Sequence, residues 1–241
     1  MIRPPPRSTL FPDSTLFRFR DVHESEEGVL DGIKDYMRMM PAYDPAMFRV
    51  AEPAPPKYPL EDINLILPAN QRRPYDAMQL LARLTDNSEF MEYRPDYGPE
   101  VYAGITKIDG FPVAVIGNNQ GIIADYPDYA EGKYPGVGGK HYRQGLIKQA
   151  EFVTLCGRDN LPIIWLQDTT GIDVGDAAEE AELLALGQSL VYSIEATGIA
   201  MMCVVLRDRK STRLNSSHKP RSYAGFCLKK KNLTLVFRIL L

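Results

Sequence analysis

The chain has 241 residues and is 44% hydrophobic, enough for one large domain or one domain and part of another. Its three cysteines, Cys156, Cys203 and Cys227, show no metal spacing and are odd in number, which argues against a disulfide framework and for a reducing setting. The net charge of −3 hides an asymmetry: residues 208–241 hold nine Lys and Arg against one Asp, residues 1–18 hold three Arg against one Asp, and the middle of the chain is strongly acidic.

In chain order, the Pro- and Arg-rich start has no apolar signal core. STLFPDSTLFR at 8–18 reads like the translation of a sequencing adapter, so residues 1–18 are expected to be non-native. Ser25 is placed to cap a helix running to about Met40, with Val29, Leu30, Ile33, Tyr36 and Met37 at helical spacing and Pro41 ending it. Residues 41–58, rich in Pro and Ala, read as an extended linker. Residues 60–68 are mixed and apolar and suggest no single element. Pro74 suits the first position of an amphipathic helix through Met78, Leu81 and Leu84. A short strand is expected within 88–93.

A hairpin follows. Val, Ile and aromatic residues at 101–108 and 111–116 flank Asp109-Gly110, a strong two-residue turn signal. Residues 117–139 read as a long loop, either a surface excursion or one wall of a ligand site with Asn118, Asn119 and Gln120 as amide donors. A helix is expected over 142–156 and a buried strand over 161–166. The polar turn Asp168-Thr169-Thr170 then enters Gly171. Asp176 with Glu179 makes a capping-box pattern for a helix over about 177–197. A strand at 199–206 completes the series. Strand, helix and strand at this spacing give a right-handed parallel βαβ unit and the order ββαβαβ.

After 207 the wording changes again. DRKSTRLNSSH at 208–218 and SYAGFCLKKK at 222–231 read like further adapter translation. Residues 208–241 are therefore expected to be non-native, and no nucleic-acid partner is expected. A genuine basic tail on an acidic domain is the alternative. No apolar run approaches the roughly 20 residues that a membrane helix needs.

The chain offers few reactive side chains. His23 and His141 are isolated, no Ser-His-Asp or Cys-His pattern is present, and there is no GxxxxGK[ST] phosphate loop. Gly136-Val137-Gly138-Gly139 precedes a helix and is a weak candidate for holding a phosphate. Asp168, Asp173 and Asp176 fit either a divalent cation or turn and capping roles, and no bound metal is expected. The glycine turn after the 161–166 strand instead offers bare backbone N–H groups, which suit chemistry that develops an oxyanion.

Four segments carry a family resemblance: SEEGVLDGIKDYMRMMPAYDPAMFRV, YGPEVYAGITKIDGFPVAV, GVGGKHYRQGLIKQAEFVTLCGRDNLPIIWLQDTTGIDVG and AELLALGQSLVYSI. They resemble the biotin-dependent acyl-CoA carboxyltransferase family over about 19–207, and the YRQG and DTTGIDVG wording points to its glutaconyl-CoA decarboxylase branch. The resemblance implies an α/β, crotonase-like ββα superhelix. Residues 19–58 would be the end of a first carboxyltransferase domain and its linker, and 59–207 the N-terminal part of the second, biotin-side domain.

It further implies transfer of the distal carboxyl group of glutaconyl-CoA to biotin on a separate carrier subunit, with release of crotonyl-CoA. The implied partners are that carrier, a membrane Na⁺-pump decarboxylase subunit and further copies of the chain in a homo-oligomer. The location would be cytoplasmic, at the periphery of a membrane complex. Carried onto this sequence, the first oxyanion donor of the second domain falls at Gly171 and Ile172. Asn118, Asn119, Gln120, Gly139 and Asp173 would line the site. The CoA site and the second oxyanion donor would lie before 19 and after 207, so this chain alone is expected to be inactive. A parallel sheet missing its next strand would leave an open edge, so it is also expected to be poorly soluble. Other readings are a subunit of a propionyl-, methylmalonyl- or methylcrotonyl-CoA carboxylase, a crotonase-type hydratase or isomerase, and a non-catalytic assembly protein.

Overall fold

A computed structural model describes residues 23, 25–39, 50–68, 70, 73–123, 136–206, 225–230 and 233–240. The expected segment at 1–18, part of the expected linker, part of the long loop and most of the tail after 206 lie outside these residues. The described elements form an α/β unit on one mixed sheet.

Helix α1 (Glu26–Met39) begins where expected, with the Ser25 hydroxyl accepting the Gly28 N–H at 3.1 Å. The unassigned stretch at 60–68 forms a 3₁₀ turn (Leu60–Asp62) and a one-turn helix α2 (Ile63–Ile66). Helix α3 spans Ala77–Leu84. Pro74 does not open it: Asp76 is the N-cap, and its carboxylate accepts the Met78 N–H at 2.9 Å. A capping side chain satisfies an orphan donor, which Pro74 cannot do. Of the expected 88–93 strand, only Met91–Glu92 (β1) pairs as a strand; the chain enters it through Asn87 and Ser88, which take positive φ.

The hairpin is β2 (Val101–Ile108) and β3 (Phe111–Asn118) in register Val101↔Asn118 to Ile108↔Phe111. Asp109 and Gly110 both have positive φ, 54° and 77°, which a right-twisting two-residue turn requires. The Asp86 carboxylate clamps this turn by accepting both the Asp109 and Gly110 N–H groups, at 2.8 and 2.7 Å. The expected loop at 117–139 is shorter than read: its first residues belong to β3, and β4 (Ile122–Ile123) pairs antiparallel with β5 (Gly136–Val137).

Next come β6 (Lys140–His141), α4 (Arg143–Arg158), β7 (Ile163–Gln167) and β8 (Gly171–Ile172). The predicted helix over 177–197 is two helices, α5 (Asp176–Glu180) and α6 (Leu183–Thr197), split at Glu182 with φ 58°. No Gly or Pro marks the break. Ala178, Ala181 and Leu183 all pack with Leu146 of α4. Residues 181 and 183 would lie on opposite sides of a continuous helix, so the chain turns at Glu182 to bury both. The Arg143 guanidinium donates to the freed Ala181 carbonyl at 2.8 Å.

Strand β9 is Met201–Val205, followed by β10 (Gly225–Lys230) and β11 (Leu233–Leu240). The sheet order is β1-β2-β3-β7-β9-β11-β10. β3, β7 and β9 are parallel, as the ββαβαβ order requires. The edge of β9 is not open: β11 pairs with it antiparallel, Arg238↔Cys203 to Leu240↔Met201.

Alternation along β2 and β3 sorts the core into two faces. Val101, Ala103, Ile105, Ala114 and Ile116 meet Phe152, Val153 and Cys156 of α4. Tyr102, Val113 and Val115 face the other way, onto Leu80 and Leu81 of α3. Helices thus cover both faces, and the C-terminal ends of the parallel strands are left to build the site.

Candidate functional site

The chain leaves β7 at Gln167 and crosses a turn into β8. Asp168 is 1% exposed, and its N–H meets the Asn118 side-chain carbonyl at 3.4 Å. The Gln120 amide donates to the Asp168 carbonyl at 2.8 Å. These two amides thus brace the end of β3 against the turn. Asn119 faces elsewhere: its N–H goes to the Glu100 carbonyl at 2.9 Å and its side-chain amide to the Pro99 carbonyl at 2.8 Å.

The other side of the turn rests on Gly139. Its carbonyl accepts the Thr170 N–H at 2.7 Å and the Thr169 and Thr170 hydroxyls at 3.0 and 3.1 Å. The Thr169 oxygen also accepts the Gly171 N–H at 3.0 Å. Gly139 and Gly171 have φ of 79° and 125°, conformations that side chains seldom adopt.

Gly171 and Ile172 then pair in parallel with Lys140 and His141 as a two-stranded ribbon beside the main sheet. The Asp173 N–H reaches the His141 carbonyl at 3.1 Å. Successive N–H groups on an extended strand point to opposite edges, so the Ile172 N–H is aimed away from β6. The Ile172 side chain is 36% exposed and seats over Gly187 of α6, where an added Cβ would come within 2.7 Å of it. A Cβ on Gly171 would meet nothing within 4 Å. The turn therefore offers a backbone donor next to open space.

Charge around the ribbon is specific. Asp173, expected to line the site, is 9% exposed and accepts from the Lys140 ammonium at 2.7 Å. Among the described residues no group of three or more His, Cys, Asp or Glu side chains is placed to share a metal ion. Asp176 does not cap the following helix. Gly175 is the N-cap, with φ 125° and no side-chain bond, so the capping box is not formed and Asp176 is the first helical residue.

His141 is neutral at ordinary pH, because burial pulls its pKa down to about 4. Gln149 fixes its tautomer. The Gln149 amide nitrogen donates to the Gly145 carbonyl at 3.0 Å and lies 3.2 Å from His141 Nδ1. Nδ1 is thus the acceptor and Nε2 carries the proton.

The glycine run at 136–139 does not lead into an anion-binding helix end. One oxygen of the Glu100 carboxylate accepts the Tyr142 and Gly145 N–H groups at the start of α4, at 3.2 and 3.0 Å. Glu100 is 0% exposed, so a fixed internal anion already fills that end. Sequence patterns marked Gly171, Ile172 and Gly139. They did not mark Glu100, Lys140 or Thr169, whose partners lie 45, 33 and 30 residues away.

The carboxyl transferase domain model matches residues 20–212. The chain is 54% identical over 188 residues to glutaconyl-CoA decarboxylase subunit alpha of Acidaminococcus fermentans, covering 78% of this chain and 32% of that protein. It is 25% identical over 197 residues to the biotin-dependent 3-methylcrotonyl-coenzyme A carboxylase beta1 subunit of Mycobacterium tuberculosis, covering 77% of this chain and 34% of that one. Transcarboxylase 12S shares its fold with a TM-score of 0.63 at 20% identity, over 77% of this chain and 34% of that one. The chain spans about a third of the length of these relatives. With a mixed sheet in ββαβαβ order and a family match over most of its length, the chain belongs to the carboxyl transferase domain family and has its crotonase-like fold.

Proposed function

We propose that this chain is part of a subunit that moves the distal carboxyl group of glutaconyl-CoA to biotin on a separate carrier and releases crotonyl-CoA. The observation that carries this reading is the 54% identity to the glutaconyl-CoA decarboxylase subunit, against 25% to the methylcrotonyl-CoA carboxylase subunit. Within it, residues 59–207 are the N-terminal part of the biotin-side domain. Residues 19–58 end the CoA-side domain, and the segments at 1–18 and 208–241 are foreign to both.

The turn after β7 fits the edge of a flat cyclic urea. It has open space beside Gly171, a donor at Ile172 and a rigid frame through Gly139 and Asp168. Biotin, when bound, supplies the ureido nitrogen that takes up the carboxyl group. The Ile172 N–H would hold the ureido oxygen of bound biotin and stabilise negative charge there, with Gly171 giving the turn its shape. The loss of one such donor typically costs roughly 2.7–4 kcal/mol of barrier. Gly139, Thr169 and the Asn118 and Gln120 amides hold that donor in place, while Asp173 holds the ribbon.

In this reading the partners are the biotin carrier, a membrane decarboxylase subunit that exports Na⁺, and further copies of the subunit. The protein would work in the cytoplasm against that membrane complex. Among the described residues no helix is long and apolar enough to cross a membrane.

The test uses the full-length subunit that contains this segment, with free biotin and either glutaconyl-CoA or methylmalonyl-CoA. Release of crotonyl-CoA that requires biotin is the expected result. Turnover of methylmalonyl-CoA alone would move the reading to another acyl-CoA carboxylase. Biotin-independent exchange of a substrate α-proton would move it to a hydratase or isomerase.

A further inference from the structure

We infer that Lys140 holds the carboxylate group in transit beside the Gly171–Ile172 turn. This rests on the carboxyl-transfer reading above.

Lys140 is the register partner of Gly171 on the β6–β8 ribbon. Partners in a ribbon project to the same face, and Asp173, two residues after Gly171, shares that face. The 2.7 Å bond from the Lys140 ammonium to the Asp173 carboxylate fits this arrangement and fixes where the charge sits. The ammonium therefore stands on the face of the ribbon that Gly171 leaves open, while the Ile172 N–H is directed from the far edge of β8. The Lys140 side chain is 36% exposed and the Asp173 side chain 8%, so the cation is on the solvent side of the pair.

The surrounding charge makes this cation matter. Asp168, Asp173, Asp176, Glu179, Glu180 and Glu182 all lie between β7 and α6. Arg143, the next cation along the chain, is turned to the Ala181 carbonyl and Glu182. An anionic carboxyl group approaching the turn would be repelled by this acidic margin. Lys140 offsets that repulsion where the group must pass. It gives and takes no proton. It binds charge and orients it.

The experiment compares wild type, K140M, K140R and D173N in the full-length subunit. It measures kcat/KM for glutaconyl-CoA with biotin and the inhibition constant for crotonyl-CoA, which lacks the carboxylate. K140M should lower kcat/KM about ten- to a hundredfold, the range for losing a hydrogen bond to a charged group. Crotonyl-CoA inhibition should stay near the wild-type value, and K140R should restore much of the loss. D173N loosens the anchor of that cation and should lower kcat/KM less than K140M does, with crotonyl-CoA inhibition near the wild-type value. If K140M and D173N fall together and crotonyl-CoA binding falls with them, the pair is only a staple and the inference is wrong.

A second readout needs no turnover. Lys140 is reductively methylated with ¹³C and its signal followed on adding each thioester. A shift with glutaconyl-CoA but not crotonyl-CoA supports the inference even if no transfer is seen, in which case the proposed function alone has failed. Normal transfer with an unmoved Lys140 signal overturns the inference alone.

Discussion

The carbonyl of Gly139 receives the Thr170 N–H at 2.7 Å, and through it the strand entering α4 is tied to the turn leaving β7. Thr169 doubles the tie, donating to the same oxygen and accepting the Gly171 N–H, both at 3.0 Å. Thr169→Val removes both bonds and keeps the shape. It should cost about 1–2 kcal/mol of stability, the net value of one or two hydrogen bonds, with Thr169→Ser near wild type. Trp165 is the only tryptophan and lies in β7, so urea unfolding followed by its fluorescence reads this region directly. A Thr169→Val melt that overlays wild type would show that the turn is held without it.

Gly171 separates backbone strain from crowding. A methyl group there meets nothing within 4 Å, yet φ is 125°. Gly171→Ala should therefore destabilise by about 1–3 kcal/mol through strain alone. In the full-length subunit the cost to carboxyl transfer should be larger, because relaxing φ re-aims the Ile172 N–H. Loss of an oxyanion donor typically lowers kcat about 10²–10³-fold. Equal, small effects on folding and turnover would remove Gly171 from the site.

Much of this architecture was legible in the chain because it is local. Alternating apolar residues gave β2 and β3, Asp109-Gly110 gave their turn, and the apolar run before Asp168 gave β7. The readings that missed depended on distant residues. The break at Glu182 has no Gly or Pro behind it; it follows from burying Ala181 and Leu183 on the same neighbour. Asp176 matched a capping box, but the positive φ of Gly175 moved the helix start by one residue. Glu100 carries no motif at all, and it closes the helix end that the glycine run, read alone, leaves to a phosphate.

His141 gives a pH signature. Its folded-state pKa of about 4 lies below the ordinary histidine value of 6.5, so the unfolded chain binds its proton more readily. The stability this group contributes is full above about pH 6.5 and is lost as pH falls toward 4, with a slope of up to about 1.4 kcal/mol per pH unit. His141→Gln should flatten that part of the stability profile between pH 6.5 and 5. Parallel profiles for the two proteins would mean that the imidazole titrates normally.

Glu100 and Gly145 should behave as one unit. The Glu100 carboxylate accepts the Tyr142 and Gly145 N–H groups, and a Cβ at Gly145 would overlap the same oxygen. Glu100→Ala strands two donors at the start of α4 and should cost about 2–6 kcal/mol, at about 1–3 for each unsatisfied group. Gly145→Ala should be costly too, because it drives that oxygen from its place. The double variant should cost clearly less than the two singles added, since the oxygen that the new methyl group would strike is already gone. Interaction terms between residues in contact commonly reach about 0.5–3 kcal/mol. Strict additivity in the Trp165 urea melts would mean that the start of α4 is held by something other than this carboxylate.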